Sequence, residues 1–104
     1  MKHKIIETKL YNASQSWCFT RFVDLANGKK VVIEIRRNAY DEQSYARVKV
    51  WREEHMDWSH VYSIHHTSMN CMHLSYVWDK ERVSEEDFQK DFDILLKQAE
   101  RFLK

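Results

Sequence analysis

Apolar and polar residues alternate along most of the chain, and the period changes near its end. From Ser84 to Leu103 the apolar residues Phe88, Phe92, Leu95, Leu96, Ala99, Phe102 and Leu103 recur at i, i+4, i+7, i+8, i+11, i+14 and i+15. That spacing is one stripe of an α-helix. Ser84 with Asp87 reads as a capping box, and Val83 can close over Phe88 as a hydrophobic staple. Glu85, Glu86 and Asp87 stand near the positive end of the helix dipole, and Lys97, Arg101 and Lys104 near the negative end. A helix carrying Phe88, Phe92, Leu95 and Phe102 on one side needs a broad apolar face to bury them against.

The rest of the chain supplies that face as strands. Lys2 to Lys9 reads as a first strand anchored by Ile5 and Ile6, with Tyr11-Asn12-Ala13-Ser14 as a connection. Ser16 to Leu25 puts Trp17, Phe19, Val23 and Leu25 on one face, and Lys30 to Arg37 does the same with Val31, Ile33 and Ile35. Asn38 to Gln43 is a polar turn. Tyr45 to Arg52 then places Ala46, Val48 and Val50 inward, with Tyr45, Arg47, Lys49 and Trp51 outward. Glu53 to Asp57 reads as a loop. A fifth strand, Trp58 to His65, carries Trp58, Tyr62 and Ile64 on one face, and a sixth, Met69 to Trp78, carries Met72, Leu74, Tyr76 and Trp78.

The hairpin around Asn27-Gly28 can be read to the residue. A two-residue turn would set Val23 opposite Val32 and Phe22 opposite Ile33, sending the two apolar rows to opposite faces. A three-residue loop, Ala26-Asn27-Gly28, with Gly28 left-handed at a bulge, sets Val23 opposite Val31, Phe19 opposite Ile35 and Asp24 opposite Lys30. The bulged form is therefore expected. It leaves Arg21 on the apolar face opposite Ile33, where a long side chain is expected to snorkel to water; the alternative is a buried cation that needs a partner. The fold class that results is α+β: a five- or six-stranded, twisted antiparallel meander packed on one long C-terminal helix, in a single domain over residues 1–104.

Composition narrows the possible chemistry. The sequence has 104 residues, enough to bury a core without a metal or disulfides. Its single glycine, Gly28, and lack of proline rule out glycine-rich phosphate loops of the dinucleotide or P-loop kind. A formal charge of +1 gives no global field toward nucleic acid or anionic membranes. The opening residues contain neither a signal peptide nor a membrane span, so a cytoplasmic location is expected, with Cys18 and Cys71 reduced.

Three constellations compete for a function. His65, Cys71 and His73 would share a face if the segment turns near Ser68, which makes them weak candidates for a metal site; with one cysteine and no knuckle spacing, the expectation is no metal and no cofactor. The same thiol and imidazoles lack a visible oxyanion hole or pocket, so no catalytic residue is assigned and no enzyme is expected. The strongest candidate is the outer sheet face, where Arg36, Tyr45, Arg47, Lys49 and Trp51, with Tyr40 and Arg52 nearby, mix cations with rings. Such a face suits another protein as partner, or alternatively single-stranded nucleic acid. Charged outer positions also serve simply to keep sheets from sticking. The expectation is a non-catalytic protein-binding module, an adaptor or stoichiometric inhibitor; small inhibitors encoded by mobile elements fit that description.

Overall fold

A computed structural model describes residues 3–13, 16–38, 45–65 and 85–103. In chain order the elements are β1 (Lys4–Ala13), β2 (Ser16–Asp24), β3 (Lys30–Asn38), β4 (Tyr45–Arg52), β5 (Asp57–His65) and α1 (Glu86–Phe102). The strands form one antiparallel sheet in the order β1-β2-β3-β4-β5, and α1 packs across one of its faces. This is the α+β meander that the alternation implies. The expected sixth strand, Met69–Trp78, lies outside the described residues, as do Tyr40, Cys71, His73, Val83 and Ser84.

The core is the inward row of each strand met by the helix stripe. Phe19, Val23, Val31, Ile33, Ile35, Ala46 and Val48 are buried under Phe88, Phe92, Leu95 and Ala99. Phe19 stacks on Phe88 at 5.2 Å and meets Phe92 edge-on at 6.1 Å. The opposite side of α1, with Glu86, Lys90, Asp93, Lys97 and Glu100, is exposed. Phe102, expected inside, is 55% exposed. It extends past the core onto Tyr62 of β5, 5.7 Å away, with the Arg101 guanidinium 5.8 Å from its ring centre.

The β2–β3 hairpin has the bulged form. Phe19 faces Ile35, Val23 faces Val31 and Asp24 faces Lys30. Leu25 donates to Lys29 O at 2.8 Å, Gly28 donates to Leu25 O at 2.9 Å, and Gly28 has φ +91°. A Cβ at Gly28 would meet nothing within 4 Å, so Gly28→Ala isolates the backbone strain. We expect it to lower stability by about 1 kcal/mol, read as a shift in the urea midpoint.

The hairpin tip also holds the end of the helix. Asn27 Nδ2 donates to Leu103 O at 2.6 Å, while Asn27 Oδ1 accepts from Lys29 N–H at 3.0 Å. His3 reaches the same corner: its Nδ1 accepts from Ala26 N–H at 2.9 Å and its Nε2 lies 2.8 Å from Glu100. Because Nδ1 is the acceptor, the ring proton sits on Nε2 and points at the Glu100 carboxylate.

Three further expectations are corrected. The first strand runs on through Ala13, so Tyr11, Asn12 and Ala13 are paired residues of β1 and not a connection. Arg21 does not snorkel. It is 4% exposed, its guanidinium lies 4.9 Å from the Phe19 ring and 4.5 Å from the Phe92 ring, its Nε donates to Thr8 Oγ1 at 2.8 Å, and its Nη2 is bound by Glu85. A cation between two rings with a carboxylate at its tip has no need to reach water. Glu85 itself makes no capping hydrogen bond to the helix; its carboxylate is used on Arg21.

The third correction turns a side chain around. Val48 pairs with Tyr62 but Lys49 pairs with His60, so Val61 is an extra residue in β5. A bulge reverses the alternation beyond it. Tyr62 faces the helix, as expected, whereas Trp58 lies opposite Trp51 on the other side of the sheet.

Candidate functional site

The face of the sheet away from α1 carries every residue that the alternation assigned to it. Arg36 lies opposite Tyr45, and Glu34 opposite Arg47, with Lys49 and Trp51 continuing along β4. The cations, however, are already engaged. Arg47 Nε is 3.0 Å and Lys49 Nζ 3.4 Å from the same Glu34 oxygen, and Arg52 reaches Asp57 at 3.3 Å. The Arg47 guanidinium also lies 4.7 Å from the Tyr45 ring centre. These partly exposed pairs add little to stability. Their effect is on the surface, where one carboxylate between two cations takes away much of the field that a phosphate backbone would feel.

At the hairpin end the same face is aromatic. The bulge at Val61 brings Trp58 out against Trp51, with ring centres 5.3 Å apart, and Phe22 leans across to meet Trp58 at 5.9 Å. Val32, opposite Phe22 on β3, is buried although it faces away from the helix. The Trp51 indole is fixed by a 2.6 Å hydrogen bond from Nε1 to Glu53. Between these rings and the β1 edge, where Ile6 and Glu7 stand, is an open groove of about 430 Å³, with Asp24 and Lys30 on its rim. Lys9 lies 5.9 Å from the Phe22 ring centre. Rim charges of both signs alternate, so the groove presents apolar surface without a net field. It suits an uncharged apolar or aromatic side chain.

Trp51 belongs both to the expected set and to this groove; Phe22, Trp58 and Ile6 are additions. Phe22 and Val32 were legible as apolar residues on the polar phase of their strands, facing each other across β2 and β3. Trp58 was hidden because nothing in the sequence marks Val61 as an extra residue.

The chain matches no family model, and no curated protein or solved structure is detectably similar to it. Function therefore has to be read from this face alone.

Elsewhere the described residues carry little chemistry. They contain no group of three or more His, Cys, Asp or Glu residues placed to hold a metal ion, and of the proposed cluster only the His65 backbone is among them. Cys18 is a free, buried thiol opposite Tyr11. The Tyr11 phenol has a raised pKa, chiefly because of the charge Cys18 would carry on ionising, then their hydrogen bond and partial burial. It thus stays protonated at neutral pH. No described helix is long and apolar enough to cross a membrane.

Proposed function

We propose that this chain is a non-catalytic protein-binding module, an adaptor or stoichiometric inhibitor, whose docking surface is the open sheet face with the Phe22–Trp51–Trp58 groove at its centre. The observation that supports this reading is the division of one face: rings left open to water at the end where Arg52 pairs with Asp57, and Arg47 and Lys49 both drawn onto the one Glu34 carboxylate at the other. Interfaces are anchored by tryptophan, tyrosine and arginine in desolvated centres, and charged rims govern encounter more than affinity. Arg36, Tyr45, Arg47 and Lys49 form such a rim. Nucleic-acid binding would instead need Arg47 and Lys49 to leave Glu34 for phosphate.

The test begins with nuclease-treated affinity purification from native cells, and continues by calorimetry with the identified partner. Trp58→Ala should weaken binding by about tenfold or more, whereas Lys49→Glu should slow association and leave the dissociation rate nearly unchanged. Titration of labelled single-stranded DNA and RNA at two salt concentrations provides the counter-test. Salt-steep binding abolished by Lys49→Glu, with Trp58→Ala harmless to partner capture, would replace this reading with the nucleic-acid one.

A further inference from the structure

Among the described residues β1 is an edge of the sheet, paired with β2 on one side and open on the other. It runs for 10 residues and carries three large apolar side chains that are each 52% exposed: Ile5, Ile6 and Tyr11. A long edge with exposed apolar residues is a template for another strand, and proteins ordinarily blunt it. Here the blunting is partial, consisting of Lys4, Lys9 and a bulge between Ile5 and Glu7.

We propose that two copies of this chain pair antiparallel through their β1 edges, about a two-fold axis passing through Thr8. The charge pattern of the strand selects both the occupant and the register. Glu7 lies opposite Phe22 and Lys9 opposite Thr20 in β2, so both point to the open face of the sheet. With Thr8 on the axis, Glu7 of each copy stands opposite Lys9 of the other, giving two cross-strand ion pairs on one face. Moving the axis to Glu7 sets that carboxylate against its own copy, and moving it to Lys9 does the same with the ammonium. With the axis at Leu10, Lys9 faces Tyr11 and Glu7 faces Ala13, and no ion pair forms. Axes between residues would put inward side chains opposite outward ones.

The matched register covers Glu7 to Lys9; outside it Ile6 lines the groove on the open face, whereas Leu10 of the second copy packs toward the helix. Beyond that point the bulge bends each strand away and keeps the ladder short. An isologous contact consumes the β1 edge of both copies, so assembly closes at two. The pairing uses main-chain edge groups and is separate from the groove reading; either can fail without the other.

Sedimentation of the wild-type chain over a wide concentration range should give a mass that rises from one copy toward two. Glu7→Lys and Lys9→Glu each put like charges opposite one another, and each should be monomeric alone at concentrations where the wild type is dimeric. Mixed in equal amounts, they should form a heterodimer, and the double exchange E7K/K9E should restore self-pairing. Both side chains are exposed, so the fold should survive, and circular dichroism checks that it does. A comparison of hydrogen exchange in dilute and concentrated wild-type protein needs no variant: protection should be gained at the alternate amides of the β1 segment around Thr8 that point away from β2. A wild-type chain that stays monomeric throughout overturns the proposal. So does a dimer indifferent to both single reversals, or a mixture that does not associate.

Discussion

Phe92→Ala should be among the most damaging single substitutions in this protein, lowering stability by about 3–5 kcal/mol. Against a total of about 5–15 kcal/mol for a domain, that is a large part of the margin. Two losses add up. The ring is 3% exposed and fills the space between α1 and β2, so truncation leaves a cavity beside Phe19. It also forms one wall of the Arg21 site, 4.5 Å from the guanidinium, so its removal takes away one of the two aromatic faces that make a buried cation tolerable. Ile94→Ala is the natural control. Ile94 lies on the same helix but is 38% exposed, and its truncation should cost far less. Urea midpoints for the two variants decide the matter; equal shifts would mean that the aromatic cluster is not the centre of the core.

The Arg21–Glu85 pair should respond asymmetrically. Glu85→Ala leaves the guanidinium buried with Thr8 as its remaining polar contact among those described, and should cost about 1.5–2 kcal/mol. That figure is toward the low end for a charged hydrogen bond because the Glu85 side chain is 54% exposed and water can partly replace it. Arg21→Met replaces the cation with an apolar chain of similar length between two rings, and should fall within about 1 kcal/mol of wild type. In the Arg21→Met background, Glu85→Ala should cost almost nothing. Four chains measured by urea denaturation form the cycle. If Glu85→Ala costs the same in both backgrounds, the carboxylate is stabilising the helix start and not the cation.

Local period and turn chemistry carried most of the architecture. The β2–β3 hairpin could be read to the residue because two apolar rows and one glycine allow only one phase. The stripe from Phe88 to Ala99 was equally plain, since four buried positions repeat at helical spacing. What escaped depends on partners remote in sequence or on a broken period. Arg21 is buried by Glu85, 64 positions away, and by two rings, and nothing near Arg21 announces them. Tyr11, Asn12 and Ala13 read as a turn because edge strands tolerate polar residues on both faces. Trp58 changed sides because a bulge is a property of the pair of strands, and β5 alone carries no mark of it. The groove inherits both difficulties: its lining comes from all five described strands, and one wall stands where it does because of Val61.

The corner where His3 meets Ala26 and Glu100 has a topological consequence. His3 and Glu100 are 97 positions apart, yet one imidazole bridges the start of the first strand and the last turn of the helix. The backbone is therefore nearly a ring in space, although it is linear in sequence. Among the described residues each strand pairs with its sequence neighbours, so cutting the ring at the tight Glu53–Met56 turn would break the link between β4 and β5 and no other connection between described strands. A chain joined at the His3–Glu100 corner and opened at that turn would present the same groove with its new ends beside Trp51 and Trp58. A fused tag or tethered ligand could then be delivered straight to the docking face.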